Sequence, residues 1–133
     1  MPHLVIHYTA NLDSATDMGV LCRSLADEIL AQTDETGVQI FPPGGTRVFA
    51  YPASHFAVAD GQHDCAFVYL NLRIAAGRSE ALVKKTGDNL LMRVKAHFAP
   101  VFSARHIGIT LQIDEGRELF DAKHSNIHPL FEP

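Results

Sequence analysis

Cys65-Ala66-Phe67-Val68-Tyr69-Leu70-Asn71-Leu72-Arg73-Ile74 is the stretch that decides the fold. In an extended chain Ala66, Val68, Leu70, Leu72 and Ile74 share one side, and Phe67, Tyr69, Asn71 and Arg73 share the other. The first side is apolar throughout and suits a core; the second mixes aromatic and polar groups. Gly77-Arg78-Ser79-Glu80 then breaks the strand and opens a helix, with Ser79 as N-cap and Glu80 favourable to the helix dipole. Leu82, Val83, Leu90, Leu91, Val94 and Phe98 recur at helical spacing, and Pro100 is expected to end the helix. Strict alternation returns with Ile107, Ile109, Leu111 and Ile113. Two strands joined by a long helix pair in parallel, the helix serving as crossover.

Upstream, the same order recurs. Pro2 to Tyr8 is β-rich and reads as a strand starting almost at the first residue. Asn11, Asp13 and Ser14 offer N-caps for a helix to about Thr33, with Met18, Leu21, Cys22, Leu25 and Ile29 as its apolar stripe and Gly37 as a stop signal. Val38 to Gly45, carrying Pro42-Pro43-Gly44-Gly45, reads as a shaped loop, and Thr46 to Tyr51 as a short strand closed by Pro52. The tail from Asp114 is polar and weakly patterned, with a small apolar cluster of Ile127, Leu130 and Phe131. The expected fold class is α/β (α+β): one domain spanning residues 1–133, in which two strand-helix-strand units form a four-stranded mixed sheet with both helices on one face. The other face is left open, and self-association is the natural way to cover it.

Bulk properties narrow the class. At 133 residues, 47% of them hydrophobic and 20% charged, the chain has the composition of a water-soluble domain with a real core. A net charge of −4 argues against a nucleic-acid binder, and no apolar run reaches the ~20 residues of a membrane span. Cys22 and Cys65 lack motif spacing and suit a reducing, cytoplasmic setting.

Conventional catalytic motifs are absent. Eight histidines show no zinc spacing, so no metal is expected, and there is no nucleophile elbow, CxxC or phosphate loop. Arg78 stands where a helix start and a preceding glycine favour anions, Arg47 follows the proline-glycine turn, and Arg73 is a weaker third candidate. Each alone reads as well as a surface arginine. Pro2 alone reads as a strand start, a place where proline's missing N–H costs little.

Taken together, Met1-Pro2-His3, Ile40-Phe41-Pro42 with Arg47, Ala59-Asp60-Gly61-Gln62-His63-Asp64, Ala76-Gly77-Arg78-Ser79, Ala96-His97-Phe98 and Asn126-Ile127-His128 resemble the 5-carboxymethyl-2-hydroxymuconate Δ-isomerases of the tautomerase superfamily. The resemblance spans nearly the whole chain and is most specific over residues 59–79. It implies a cofactor-independent isomerase acting in aromatic-acid (homoprotocatechuate) breakdown on a small anionic di- or tricarboxylate dienol. It implies Pro2, freed by removal of Met1, as the proton shuttle, Arg47 and Arg78 as substrate-handling residues, and a homotrimer with sites near subunit boundaries. A tautomerase with another unsaturated oxo-acid substrate, and a non-catalytic anion-binding trimer, remain as alternatives.

Overall fold

The structure, a computed structural model, describes residues 1–132. Its regular elements are β1 (His3–Thr9), α1 (Met18–Leu30), β2 (Arg47–Ala53), β3 (Cys65–Ala75), α2 (Glu80–Ala104) and β4 (His106–Gly116), with single 3₁₀ turns at Ala10–Leu12, Pro43–Gly45 and His128–Phe131. The sheet order is β2-β1-β3-β4. β1 pairs with β2 and β3 with β4 in parallel, each across a long helix, while the two central strands β1 and β3 are antiparallel. The mixed four-stranded sheet expected from the two alternation patterns is therefore present.

One buried cluster joins the helices to one sheet face. Leu4 and Ile6 of β1 and Val68, Leu70 and Leu72 of β3 are fully buried against Leu21, Leu25 and Ile29 of α1 and Leu90, Val94 and Phe98 of α2. Each such side chain contributes roughly 1.5–3 kcal/mol by leaving water. The opposite face carries rows set by the strand register: His3 lies between Arg47 and Arg73, and His7 between Tyr51 and Tyr69. Phe49 and Tyr51 are about half exposed there.

Several boundaries differ from the sequence expectation. α1 starts at Met18, capped by Asp17, whose carboxylate accepts from the N–H groups of Gly19 (2.9 Å) and Val20 (3.2 Å). Asp13 is diverted by the Tyr8 hydroxyl, which donates to it at 2.6 Å, and Leu12 is buried in a 3₁₀ turn that finishes β1. The same helix ends at Leu30, and Gly37 (φ 82°) serves the following turn, where Asp34 accepts from Thr36 and Val38. Pro52 does not close β2, because β2 is an edge strand and can do without that donor. Pro100 lies inside α2 near its end. It leaves the Ala96 carbonyl on an exposed side that water can satisfy, while buried Phe98 and Val101 hold the last turn. No helix among the described residues is long and apolar enough to cross a membrane.

Candidate active site

The start of β1 puts the chain's amine beside the open sheet face. Pro2 is buried, and with Met1 attached its nitrogen is an amide. The Met1 side chain lies on the Pro43–Gly45 turn, where a methyl group added to Gly45 would stand 3.0 Å from the Met1 Cγ and Sδ. The amine's pKa is held below the usual value by burial, then by the positive charges of Lys123, Arg78 and Arg47, with Glu118 opposing. Each of these cations makes a neutral amine easier to maintain and an anion easier to hold.

Met1, His3, Arg47 and Arg73 line one side of a cavity of about 380 Å³, and Glu118, Asp121 and Lys123 of the tail line the other. A neighbouring cleft of about 480 Å³ opens on the α1 side and shares Arg47, with Cys22, Pro43 and Phe131 among its walls. The first is the candidate site because Met1 lines it together with Arg47, Glu118 and Lys123, whose charges act on the amine; Pro2 itself is buried behind its wall.

Arg47 begins β2 and is half-buried; its guanidinium contacts both ring nitrogens of His3, closely at Nε2 and at 3.5 Å at Nδ1. Arg78 precedes the helix cap instead of lying in the first turn of α2. Gly77, at φ 100°, turns the chain between β3 and α2, and Ser79 accepts from the Leu82 N–H at 3.2 Å. The Arg78 guanidinium lies 4.9 Å from the centroid of the Phe41 ring, and Phe41 is fully buried. Cation and ring attract, and the ring fixes the plane of the fork. Arg78 Nε is buried with no hydrogen-bond partner. Among the described residues neither Arg47 nor Arg78 has a carboxylate within 4.0 Å, whereas Arg23, Arg93 and Arg105 all do. A half-buried guanidinium without a counter-ion is costly unless an anion arrives.

The structure thus brings Arg47 and the start of β1 to one cavity. Arg78 is outside its wall, close enough for its charge to act on the amine. Lys123, Glu118 and Asp121 were not expected from the sequence, since the tail has no periodicity to mark them. His3 belongs to no motif in the sequence, and only the β1–β2 register reveals its contact with Arg47. The Ala59–Asp64 block lies at the other end of β1. Asp64 accepts from Asn11 (3.5 Å) and pairs with Arg105 (3.3 Å), so within one chain this block fastens the far end of the sheet.

The fold is shared with known isomerases. A family model described as 5-carboxymethyl-2-hydroxymuconate isomerase matches residues 2–131. The 5-carboxymethyl-2-hydroxymuconate Delta-isomerase of Escherichia coli is 32% identical over 131 residues, which is 98% of this chain and 99% of that protein. The crystal structure of a 5-carboxymethyl-2-hydroxymuconate delta-isomerase matches with a TM-score of 0.97 at 48% identity, covering 100% of this chain and 94% of the other. That of a 5-carboxymethyl-2-hydroxymuconate isomerase from Deinococcus radiodurans R1 matches at 0.88 and 39% identity, covering 99% and 95%. With the match running from Pro2 through the tail, the chain belongs to the 5-carboxymethyl-2-hydroxymuconate isomerase family.

Proposed function

We propose that this protein is a cofactor-independent isomerase that converts the dienol 5-carboxymethyl-2-hydroxymuconate to its 2-oxo-3-ene isomer, with Pro2 as the proton carrier once Met1 is removed. The observation that carries this is a cavity lined by Met1, Arg47, Arg73 and Lys123, with Glu118 and Asp121 also in its wall, in a chain whose family match begins at Pro2. Removing Met1 turns the Pro2 nitrogen from an amide into a secondary amine with a basic lone pair. The neutral amine accepts the enol O–H proton, giving a dienolate and an ammonium. The ammonium then returns a proton to carbon at the far end of the diene, so no atom or electron is gained or lost. An ordinary α-amino group has a pKa of about 8. The burial and neighbouring cations that lower the Met1 amine would act on a Pro2 amine at the same end of β1, moving it towards the working pH.

Arg47 and Arg78 are assigned to the substrate's carboxylates and to the charge that develops on the dienolate. Their lack of internal carboxylate partners supports the assignment. The active form is proposed to be a homotrimer with sites near subunit boundaries. The open sheet face and the nearly fully exposed Leu119 and Phe120 of the tail support self-association.

The test combines intact mass with ultraviolet ketonisation of the dienol on one sample. Protein lacking Met1 should turn over, and Pro2→Ala should lose most of kcat while its circular dichroism and thermal midpoint stay put. Full turnover by folded Pro2→Ala would refute the proline mechanism.

A further inference from the structure

We infer that His3 is a positioning residue for Arg47: its neutral imidazole accepts from the guanidinium and holds the fork towards the cavity, making substrate capture fail on the acid side. The inference rests on the reaction proposed above for its kinetic readout, and on the His3–Arg47 contact for its physical basis.

The register sets the pair. His3 and Arg47 are direct neighbours across β1 and β2, on the open sheet face, and both line the cavity. A guanidinium only donates, and a neutral imidazole has one accepting nitrogen. Arg47 reaches the ring at both nitrogens, Nε towards Nδ1 at 3.5 Å and Nη2 towards Nε2, and whichever nitrogen lacks the ring proton accepts. An imidazolium has no acceptor at all. Protonating His3 therefore removes the hydrogen bond and sets two cations against each other.

The surroundings keep the ring neutral. Arg47 faces it from β2, Arg73 from β3 and the chain amine from its own strand, while Glu118, Asp121 and Lys123 of the tail share the cavity. Burial first, then Arg47, the amine and Arg73, hold the His3 pKa below its ordinary value. Arg47 is thus fixed from one side by a group that carries no charge, which leaves its own charge free for a carboxylate. An aspartate in the same place would fix it equally well and neutralise it.

The experiment uses full-length protein with Met1 removed and measures kcat and KM separately from pH 5 to 9. In the wild type KM should rise as pH falls through the His3 titration, below pH 6.5. His3→Gln, whose side-chain carbonyl can replace the accepting ring nitrogen, should keep KM within about threefold at pH 7.5 and lose the acid-side rise. His3→Leu should raise KM at pH 7.5 by about tenfold, the scale of one hydrogen bond to a charged group, with a smaller fall in kcat. An unchanged KM in His3→Leu, or an acid-side rise that survives in His3→Gln, would overturn the inference. NMR titration of the His3 ring supplies a readout independent of turnover: Arg47→Ala should raise its pKa towards the ordinary value and abolish the acceptor signature at the unprotonated ring nitrogen. A ring indifferent to Arg47→Ala would refute the pairing. A wild type with the NMR coupling but no ketonisation would instead refute the proposed reaction and leave the pair standing.

Discussion

Truncating Arg78 to alanine should separate turnover from stability. The side chain has two structural attachments with opposite signs. Its guanidinium lies 4.9 Å over the Phe41 ring, a cation–π contact of about 0.5–1 kcal/mol at a half-exposed site. Its Nε is buried without a partner, a cost of roughly 1–3 kcal/mol that alanine would remove. The two oppose each other, so urea unfolding of Arg78→Ala should lie between no change and about 2.5 kcal/mol of added stability. Catalysis has no such opposition. Losing a charged, bidentate contact to a carboxylate or dienolate should lower kcat/KM by about 2–4 kcal/mol, or roughly 30- to 1,000-fold. Arg78→Lys keeps the charge but loses the planar fork and its stacking on Phe41, and should fall between, about tenfold down. The assays are ultraviolet ketonisation and equilibrium urea unfolding on the same preparations. A variant that loses more than about 2 kcal/mol of stability while keeping kcat/KM would show that Arg78 braces the fold, and the reasoning from its unpartnered Nε would be wrong.

The tail and the second helix supply further tests. A methyl group at Gly44 would stand 2.6 Å from His128 Nδ1 and 2.9 Å from its Cα, and backbone cannot swing aside as a side-chain tip can. Gly44→Ala should therefore lift the His128–Phe131 turn off the Pro43–Gly45 turn, at about 1–3 kcal/mol, and speed trypsin cleavage after Arg117 and Lys123; unchanged cleavage rates would mean that the turn absorbs the methyl. His97, whose Nε2 lies 2.8 Å from Thr16 Oγ1, has its pKa lowered by burial, with Asp17 opposing. The unfolded chain then binds the proton more readily, so stability is held above about pH 6.5 and declines as pH falls through the folded pKa. His97→Gln should flatten that part of the urea-midpoint profile between pH 7.5 and 5.5, and an unaltered slope would assign the loss to other groups.

The fold was legible because its signals are local. Alternation at residues 65–74 and 107–113 specifies strands, helical spacing between them specifies a crossover, and that connection dictates parallel pairing whatever the partner residues are. Two of the misread boundaries turn on tertiary contacts invisible in one dimension. Asp13 caps nothing because Tyr8 reaches it first, and Pro100 ends nothing because buried Phe98 and Val101 keep the turn in place. Pro2, Arg47 and Arg78 could be named from the family resemblance, but their neighbours could not.

The sequence by itself determined two strand-helix-strand units, an apolar sheet face for the helices and a chain beginning Met-Pro, because each depends on periodicity or on the identity of one residue. Only the tertiary structure decided that His3 lies against Arg47, that Phe41 supports Arg78, and that Lys123 returns to the amine from the far end of the chain. Those residues stand 37 to 122 positions apart, counting from Phe41 to Arg78 and from Met1 to Lys123. Sheet order, register and the path of an unpatterned tail bring them together, and none of these leaves a periodic trace in the sequence.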